Sequence, residues 1–339
     1  MIMTKVVGLS QRGNAYLAIR PWVLKLDGIE RGDAVDVTIQ GARKLAGLPF
    51  FSGYYCRRGE RLLVETAAGL ELAIRQGNMA EQFGLRPGDA VTIVRKAPRR
   101  FFEQENAYSF EEITDVKRYK DVESFANFRQ VVGCGMGFYR SASPLDNTYG
   151  RAVAVRNCVE KYEIRTIIDM ADTADELEQL AADGCQMVRH GTKFVYRDKT
   201  VFACGNDAGI YSAEFASAIR EACLIIAGTT GPFLIHCRAG KRRSGFLCAI
   251  LQELNGLSEE KIVRDYMVSY ENNNGISREA NPMQYDFLAN DTIMQILNHI
   301  RNGDACGTTA ARRYLIRIGV DKNVIDRIAT MLQPGKSPR

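Results

Sequence analysis

No run of about eighteen apolar residues occurs in the 339-residue chain, so no stretch of it reads as a membrane-spanning helix. The opening residues, MIMTKVVGLSQRG, lack a charged segment followed by an apolar one, so no secretory leader is expected. Proline is scarce, 9 residues against 30 glycines, while 46% of the chain is hydrophobic and 25% charged. That balance excludes collagen, low-complexity disorder and coiled coil. No CxxC pair occurs among the nine cysteines (Cys56, Cys134, Cys158, Cys185, Cys204, Cys223, Cys237, Cys248 and Cys306), which argues against a thiolate zinc site. Their odd number and wide spacing point to reduced thiols in a cytoplasmic setting rather than a disulfide framework.

What charge there is lies unevenly. The total is only +5, yet residues 1–100 carry 16 basic and 9 acidic side chains and the remainder 29 and 31. Length and two charge regimes together suggest two domains, the basic one first.

The first hundred residues contain an internal repeat. Tyr16-Leu17-Ala18-Ile19-Arg20 matches Glu71-Leu72-Ala73-Ile74-Arg75, and Gly28-Ile29-Glu30-Arg31-Gly32-Asp33-Ala34-Val35 matches Gly84-Leu85-Arg86-Pro87-Gly88-Asp89-Ala90-Val91. Each copy runs from a Gly-Asp turn into a β-rich stretch, Val35–Ile39 and Val91–Val94. The duplicated turn resembles the GD box of cradle-loop β-barrels, a likeness that implies two halves interleaved into one closed barrel. Residues 1–98 are read as that barrel and 99–120 as a polar connector with a short helix. Residues 121–335 alternate strands (Arg129–Cys134, Arg165–Met170, Lys199–Ala203, Phe233–His236) with helices (213–228, 243–255, 258–270, 283–301, 321–332). This is the pattern of an α/β domain.

One run in that domain carries chemistry. Phe233 to Leu247 reads FLIHCRAGKRRSGFL: an apolar strand, a short glycine-bearing loop, then an apolar helix. Cys237 and Arg243 are separated by five residues, enough for backbone N–H groups to converge as an anion nest. The helix N-terminus adds partial positive charge, which favours the thiolate of Cys237, and Arg243 presents a planar fork to two phosphate oxygens. Ser244 is placed to donate to the cysteine sulfur.

This H-C-x5-R-S run resembles the signature of the cysteine-dependent protein tyrosine and dual-specificity phosphatases. The likeness extends over Asn127-Phe128-Arg129, Phe138-Tyr139-Arg140-Ser141-Ala142, Ile164–Asp172, Asp265–Tyr270 and Asn274-Gly275-Ile276, which are similar to segments of bacterial tyrosine-phosphatase-like proteins. It implies a phosphatase-type central sheet flanked by helices, preceded here by the small all-β barrel. It also implies metal- and cofactor-free hydrolysis through a phosphocysteine on Cys237, with Arg243 and the loop from Arg238 through Ala239, Gly240, Lys241 and Arg242 to Ser244 holding the phosphoryl group and His236 in support.

Where those relatives have Lys-Asp-Arg, this chain has Lys241-Arg242-Arg243, and a guanidinium cannot donate the proton a leaving group needs. Asp207, in a Gly-flanked loop 30 residues before Cys237, is the candidate acid; its other reading is a turn residue. Asp172 and Asp146 are weaker candidates for the acid, read rather as caps or turns, and Arg140 reads as either a scaffold ion pair or a pocket wall. Arg238, Lys241, Arg242 and Arg243 place four cations beside one loop. Such crowding suggests an anionic ligand, either a phosphorylated protein or a phosphoinositide or inositol phosphate, unless local carboxylates neutralise it. A pseudophosphatase that binds phosphorylated partners without turnover is the alternative. The basic barrel, with Tyr54-Tyr55-Cys56-Arg57-Arg58 and Arg99-Arg100-Phe101-Phe102, suggests a docking surface for a partner or for nucleic acid. The sequence leaves the oligomeric state open.

Overall fold

The computed structural model of the chain describes every residue except 58, 67, 76, 136, 183–186, 191–192, 197, 207–208, 304–306 and 334–339. It comprises two compact units, Met1–Phe110 and Glu111–Arg339. Among the described residues no helix is long and apolar enough to cross a membrane.

The first unit is a closed barrel of β1 (Ile2–Leu9), β2 (Ala15–Leu17), β3 (Ala34–Ile39), β4 (Arg43–Phe51), β5 (Arg61–Thr66), β6 (Gly69–Ile74) and β7 (Ala90–Ala97). Around the barrel they run β1-β2-β6-β5-β4-β3-β7. Closure leaves no open sheet edge. The helices α1 (Pro21–Leu26), α2 (Met79–Phe83) and α3 (Phe102–Tyr108) complete the unit. Its interior is filled by alternate residues such as Val35, Val37, Leu70, Leu72, Ile74, Val91 and Ile93.

The two sequence repeats meet as interleaved halves. Gly32 N–H donates to Phe50 O (2.7 Å) and Phe50 N–H returns to Asp33 O (3.0 Å); Gly88 N–H donates to Val6 O (2.8 Å) and Val6 N–H returns to Asp89 O (2.9 Å). The first Gly-Asp turn is therefore stitched to β4 and the second to β1, and the copies interleave where β3 pairs with β7 and β2 with β6. The carboxylates cap their own turns identically, Asp33 accepting from Glu30 N–H (3.0 Å) and Asp89 from Arg86 N–H (2.9 Å). Asp33 is buried and also accepts from Arg99 N–H at 2.7 Å, which ties the chain after β7 back to the first turn. The aromatic-basic clusters are partly absorbed by packing. Phe51 and Cys56 form a second small core against which Tyr55 and Phe101 pack, and Tyr55 stacks on Tyr108. Tyr54 instead donates its hydroxyl to the buried Glu71.

The second unit is a mixed sheet with helices. Its strands are β8 (Arg129–Gln130), β9 (Phe138–Ser141), β10 (Thr166–Asp169), β11 (Met187–His190), β12 (Lys193–Tyr196), β13 (Lys199–Ala203) and β14 (Phe233–His236). They lie in the order β11-β12-β13-β10-β14-β9-β8. The inner four, β13, β10, β14 and β9, are parallel, so their carboxyl ends emerge together. The helices are α4 (Val122–Phe125), α5 (Ala152–Lys161), α6 (Ala174–Ala182), α7 (Ala213–Gly228), α8 (Arg242–Leu254), α9 (Glu259–Asn274), α10 (Pro282–Asp291), α11 (Ile293–Arg301), α12 (Thr308–Arg317) and α13 (Lys322–Met331).

Two elements differ from the sequence reading. The strand expected over Arg129–Cys134 stops at Gln130, because Cys134 N–H turns back to Val131 O and starts a tight turn. The helix expected over 283–301 breaks at Thr292, whose hydroxyl donates to Leu288 O four residues earlier at 2.5 Å, a bond that distorts helices.

The paired turns give a graded expectation. Asp33→Ala strips a buried cap that serves two backbone N–H groups, whereas Asp89 serves one backbone N–H and the exposed Gln40 amide, is part-exposed, and its loss is shared with water. Urea denaturation of the full chain should show Asp33→Ala costing about 1–3 kcal/mol and Asp89→Ala clearly less; equal costs would contradict this account of the turns.

Candidate active site

Cys237 follows the last residue of β14, the strand between β10 and β9, and α8 begins at Arg242. Ligands of open α/β sheets bind outside the carboxyl ends of such central strands. The loop between is shaped by what its carbonyls bond to. Ser143 N–H donates to Arg238 O (3.1 Å), and Asn127 and Asn273 side-chain amides both donate to Ala239 O (3.0 Å each). Arg140 and Ser269 donate to Gly240 O (3.1 Å each), and Arg140 also reaches Lys241 O (3.3 Å). A trans peptide sets each C=O opposite the next N–H. With four successive carbonyls held outward, the amides of Ala239, Lys241 and Arg242 turn to the inner side, beside the open N–H groups of the first turn of α8. Gly240 N–H instead closes a turn on Cys237 O at 3.2 Å. Gly240 has φ +71°, and a Cβ there would lie 2.3 Å from Ser141 O, so any larger residue would push the loop off its support.

The support is a buried ionic cluster. Arg140 and Asp265 are almost wholly inaccessible, and Asp265 bonds Arg140 (3.1 Å), Arg129 (3.2 Å) and the Gln252 amide (3.1 Å). Arg129 further donates to Asn127 Oδ1 (2.7 Å) and Ser269 Oγ (2.9 Å), orienting two of the groups that hold the loop. Burial acts to raise the Asp265 carboxyl, but Arg129 and Arg140 outweigh it and hold it below the ordinary value. Without Asp265 two guanidiniums would be left uncompensated indoors, a loss on the order of 3–5 kcal/mol. Of the two readings open for Arg140, the structure places it as a scaffold ion pair.

Cys237 Sγ lies 3.3 Å from Ser244 Oγ, closing the loop on itself. Arg243 is steadied by donating to Ala171 O at 2.9 Å. The seven described cysteines are all buried. Burial pushes the thiols of Cys223 and Cys248 up to about 12 and about 11, so they are inert core groups. Two of the four cations counted near the loop are tied internally. Arg238 pairs with Asp146 (3.0 Å) and approaches Asp172 (3.9 Å), and Lys241 pairs with Glu112 (2.5 Å) and donates to Asn274 (3.1 Å). Burial lowers the Lys241 ammonium pKa, with Glu112 opposing. Arg242 is exposed. Asp207 lies outside the described residues. Among those described, no group of three His, Cys, Asp or Glu side chains could hold a metal ion.

Beneath the loop sits a second buried cluster that the sequence did not reveal. His236 is fully buried, and its Nε2 is 3.8 Å from Asp169 Oδ2. Both ring nitrogens, and one oxygen each of Asp169 and Asp172, are buried without a hydrogen-bond partner among the described residues. Burial lowers His236 to about 4, leaving a neutral ring. Burial also raises Asp169 to about 6; burial and then the neighbouring Asp169 raise Asp172 to about 7. Asp172 is thus more than a turn residue. Of the other groups that act on the loop from far along the chain, Asn127 and Ser269 lie within the family-like segments, whereas Asn273 and Glu112 carry no local signal.

The tyrosine phosphatase family model matches residues 120–332. None of the curated proteins matches. Among solved structures, an uncharacterized conserved protein from Thermotoga maritima is 23% identical over 27% of this chain and 35% of its own, with a TM-score of 0.25. This chain therefore spans only about a third of that protein. The core catalytic domain of the PP-IP phosphatase SIW14 from S. cerevisiae, in complex with citrate, is 19% identical over 51% of this chain and 91% of its own (TM-score 0.29). PTPN18 bound to HER2 phosphopeptides is 15% identical over 50% and 69% (TM-score 0.27).

The buried cluster sets a pH expectation. Asp172 keeps its proton in the folded chain up to about 7, where the unfolded chain has lost it, so stability falls as pH rises toward and through 7. His236 runs the other way: only the unfolded chain binds its proton between about 4 and 6.5, so stability rises with pH across that window. Above about pH 6.5 the carboxyl effect stands alone. Denaturation midpoints of the parent should fall there and those of Asp172→Asn should stay flat; parallel profiles would refute the assignment.

Proposed function

Because this chain belongs to the tyrosine phosphatase family, we propose that it hydrolyses phosphate monoesters through a phosphocysteine, with phosphotyrosine-type protein groups as the preferred substrates. The observation that carries this reading is the 3.3 Å approach of Ser244 Oγ to Cys237 Sγ within a loop whose carbonyls are held outward. The Cys237 thiolate attacks phosphorus; the S–P bond forms as the P–O bond to the leaving group breaks. Arg243 and the inward amides take the equatorial oxygens, whose charge is spread in such transfers. The leaving oxygen collects a proton from a carboxylic acid. We assign Asp207 this role from its place in the sequence, 30 residues before Cys237 in a glycine-flanked run that follows Lys199–Ala203. Water then attacks the phosphocysteine, inorganic phosphate departs, and Ser244 donates its hydroxyl hydrogen bond to the returning thiolate.

Inositol phosphates form a second substrate class, favoured by the exposure of Arg238 and Arg242 at the loop. A reading without turnover, as a binding module for phosphorylated partners, is separated from both by the same assay.

Cys237→Ser should abolish release of phosphate from an aryl phosphate while inorganic phosphate still binds. Ser244→Ala should lower kcat about tenfold or more, with a smaller effect on kcat/KM and a burst of the first product, because only the second step loses its hydrogen bond. Asp207→Asn should steepen the dependence of rate on leaving-group pKa; the same change in Asp172→Asn instead would move the acid role to that residue. Binding by the parent without any turnover would establish the binding-module reading.

A further inference from the structure

The segment 111–119 lies before the residues that the family model matches, which begin at 120. It is nonetheless fastened beside the loop. Ile113 N–H donates to Asn273 O (2.7 Å), the Asn274 amide to Glu111 O (3.0 Å), Arg151 to Ile113 O (2.6 Å) and Tyr119 OH to Asn272 O (2.5 Å). Two of these anchors, Asn273 and Asn274, also contact the loop directly, through Ala239 O and the Lys241 ammonium.

The strap delivers one side chain to the loop. Glu112 Oε1 is 2.5 Å from Lys241 Nζ, and the pair is largely enclosed, with side chains 21% and 15% exposed. The Lys241 ammonium also rests 5.3 Å from the centre of the Tyr270 ring. Glu112 Oε2 is buried with no hydrogen-bond partner among the described residues. Through Lys241, Glu112 thus lies at the rim of the loop that carries Cys237. A carboxylate at that rim does two things. It cancels the loop cation that could otherwise take a second phosphate, and it repels any further negative charge brought in beside the bound phosphoryl group.

We propose that Glu112 is a specificity-determining residue that, by pairing with Lys241, makes the loop discriminate against polyphosphorylated ligands in favour of single phosphate groups. The inference rests on the reading of this loop as a phosphate site. The paired arrangement is the working state of the site, and the strap is part of its wall.

The test uses the full chain and two probes, inorganic phosphate and inositol hexakisphosphate. Each is measured as an inhibitor of aryl phosphate hydrolysis and by equilibrium dialysis. In Glu112→Gln the ratio of the phosphate constant to the hexakisphosphate constant should rise about tenfold. It should keep the parent value in Glu112→Asp, which retains the charge, and return toward it in the double variant Glu112→Gln/Lys241→Met. A merely structural role for Glu112 would shift both constants by the same factor, and that result, or no shift, overturns the inference. If the parent binds neither probe and turns over no aryl phosphate, the phosphate-site reading itself fails and this inference falls with it. If the parent turns over aryl phosphate in a Cys237-dependent way while the ratio stays fixed, only the role of Glu112 is refuted.

Discussion

One carboxylate organises the site. Asp265 sits indoors between Arg129 and Arg140, and these guanidiniums extend its hold to Asn127, Ser269 and the carbonyls of Gly240 and Lys241. A loop of free peptides would turn its carbonyls toward any cavity as readily as its amides. Here each outward carbonyl has a fixed donor, so the inner surface is given to N–H groups before any anion arrives. Preorganisation of this kind is what makes backbone dipoles effective against developing charge. A buried ion pair is weak grounds for stability, but it is well suited to fixing one geometry.

The loop joins two different electrostatic settings. On its flanks, carboxylates neutralise cations: Asp146 holds Arg238 and Glu112 holds Lys241. Below it, the neutral His236 lies against Asp169, and Asp172 holds its proton near neutral pH because burial disfavours its charge. The paired cations on its flanks therefore add little net charge around Cys237. The +5 of the whole chain says little about it.

Much of this was legible in the sequence where the signal is contiguous. The strand-loop-helix run around Cys237 holds cysteine, arginine and serine within eight residues, and the two Gly-Asp turns repeat nearly letter for letter. Strands Lys199–Ala203 and Phe233–His236 fall where the apolar pattern puts them. What was hidden depends on long separations. Arg140 and Asp265 are 125 residues apart, and Glu112 and Lys241 129 apart, so no window of local pattern connects them. Two of the four cations, Arg238 and Lys241, looked unbalanced because their carboxylate partners lie on other elements. Asp172 looked like a turn residue because spacing cannot report the depth at which a carboxyl is buried. Tyr55 and Phe101 read as a binding surface because composition does not show which ring faces inward.

In the barrel, strands of one repeat pair with strands of the other, β3 with β7 and β2 with β6. The unit is in effect an exchanged dimer fused into one polypeptide: the donor and acceptor of every crossing bond are supplied at fixed stoichiometry by a single chain. Assembly of this barrel is consequently unimolecular, independent of how much protein is present. Two separate halves would face a dilution penalty and an open edge at each turn, and the covalent link between the copies removes both.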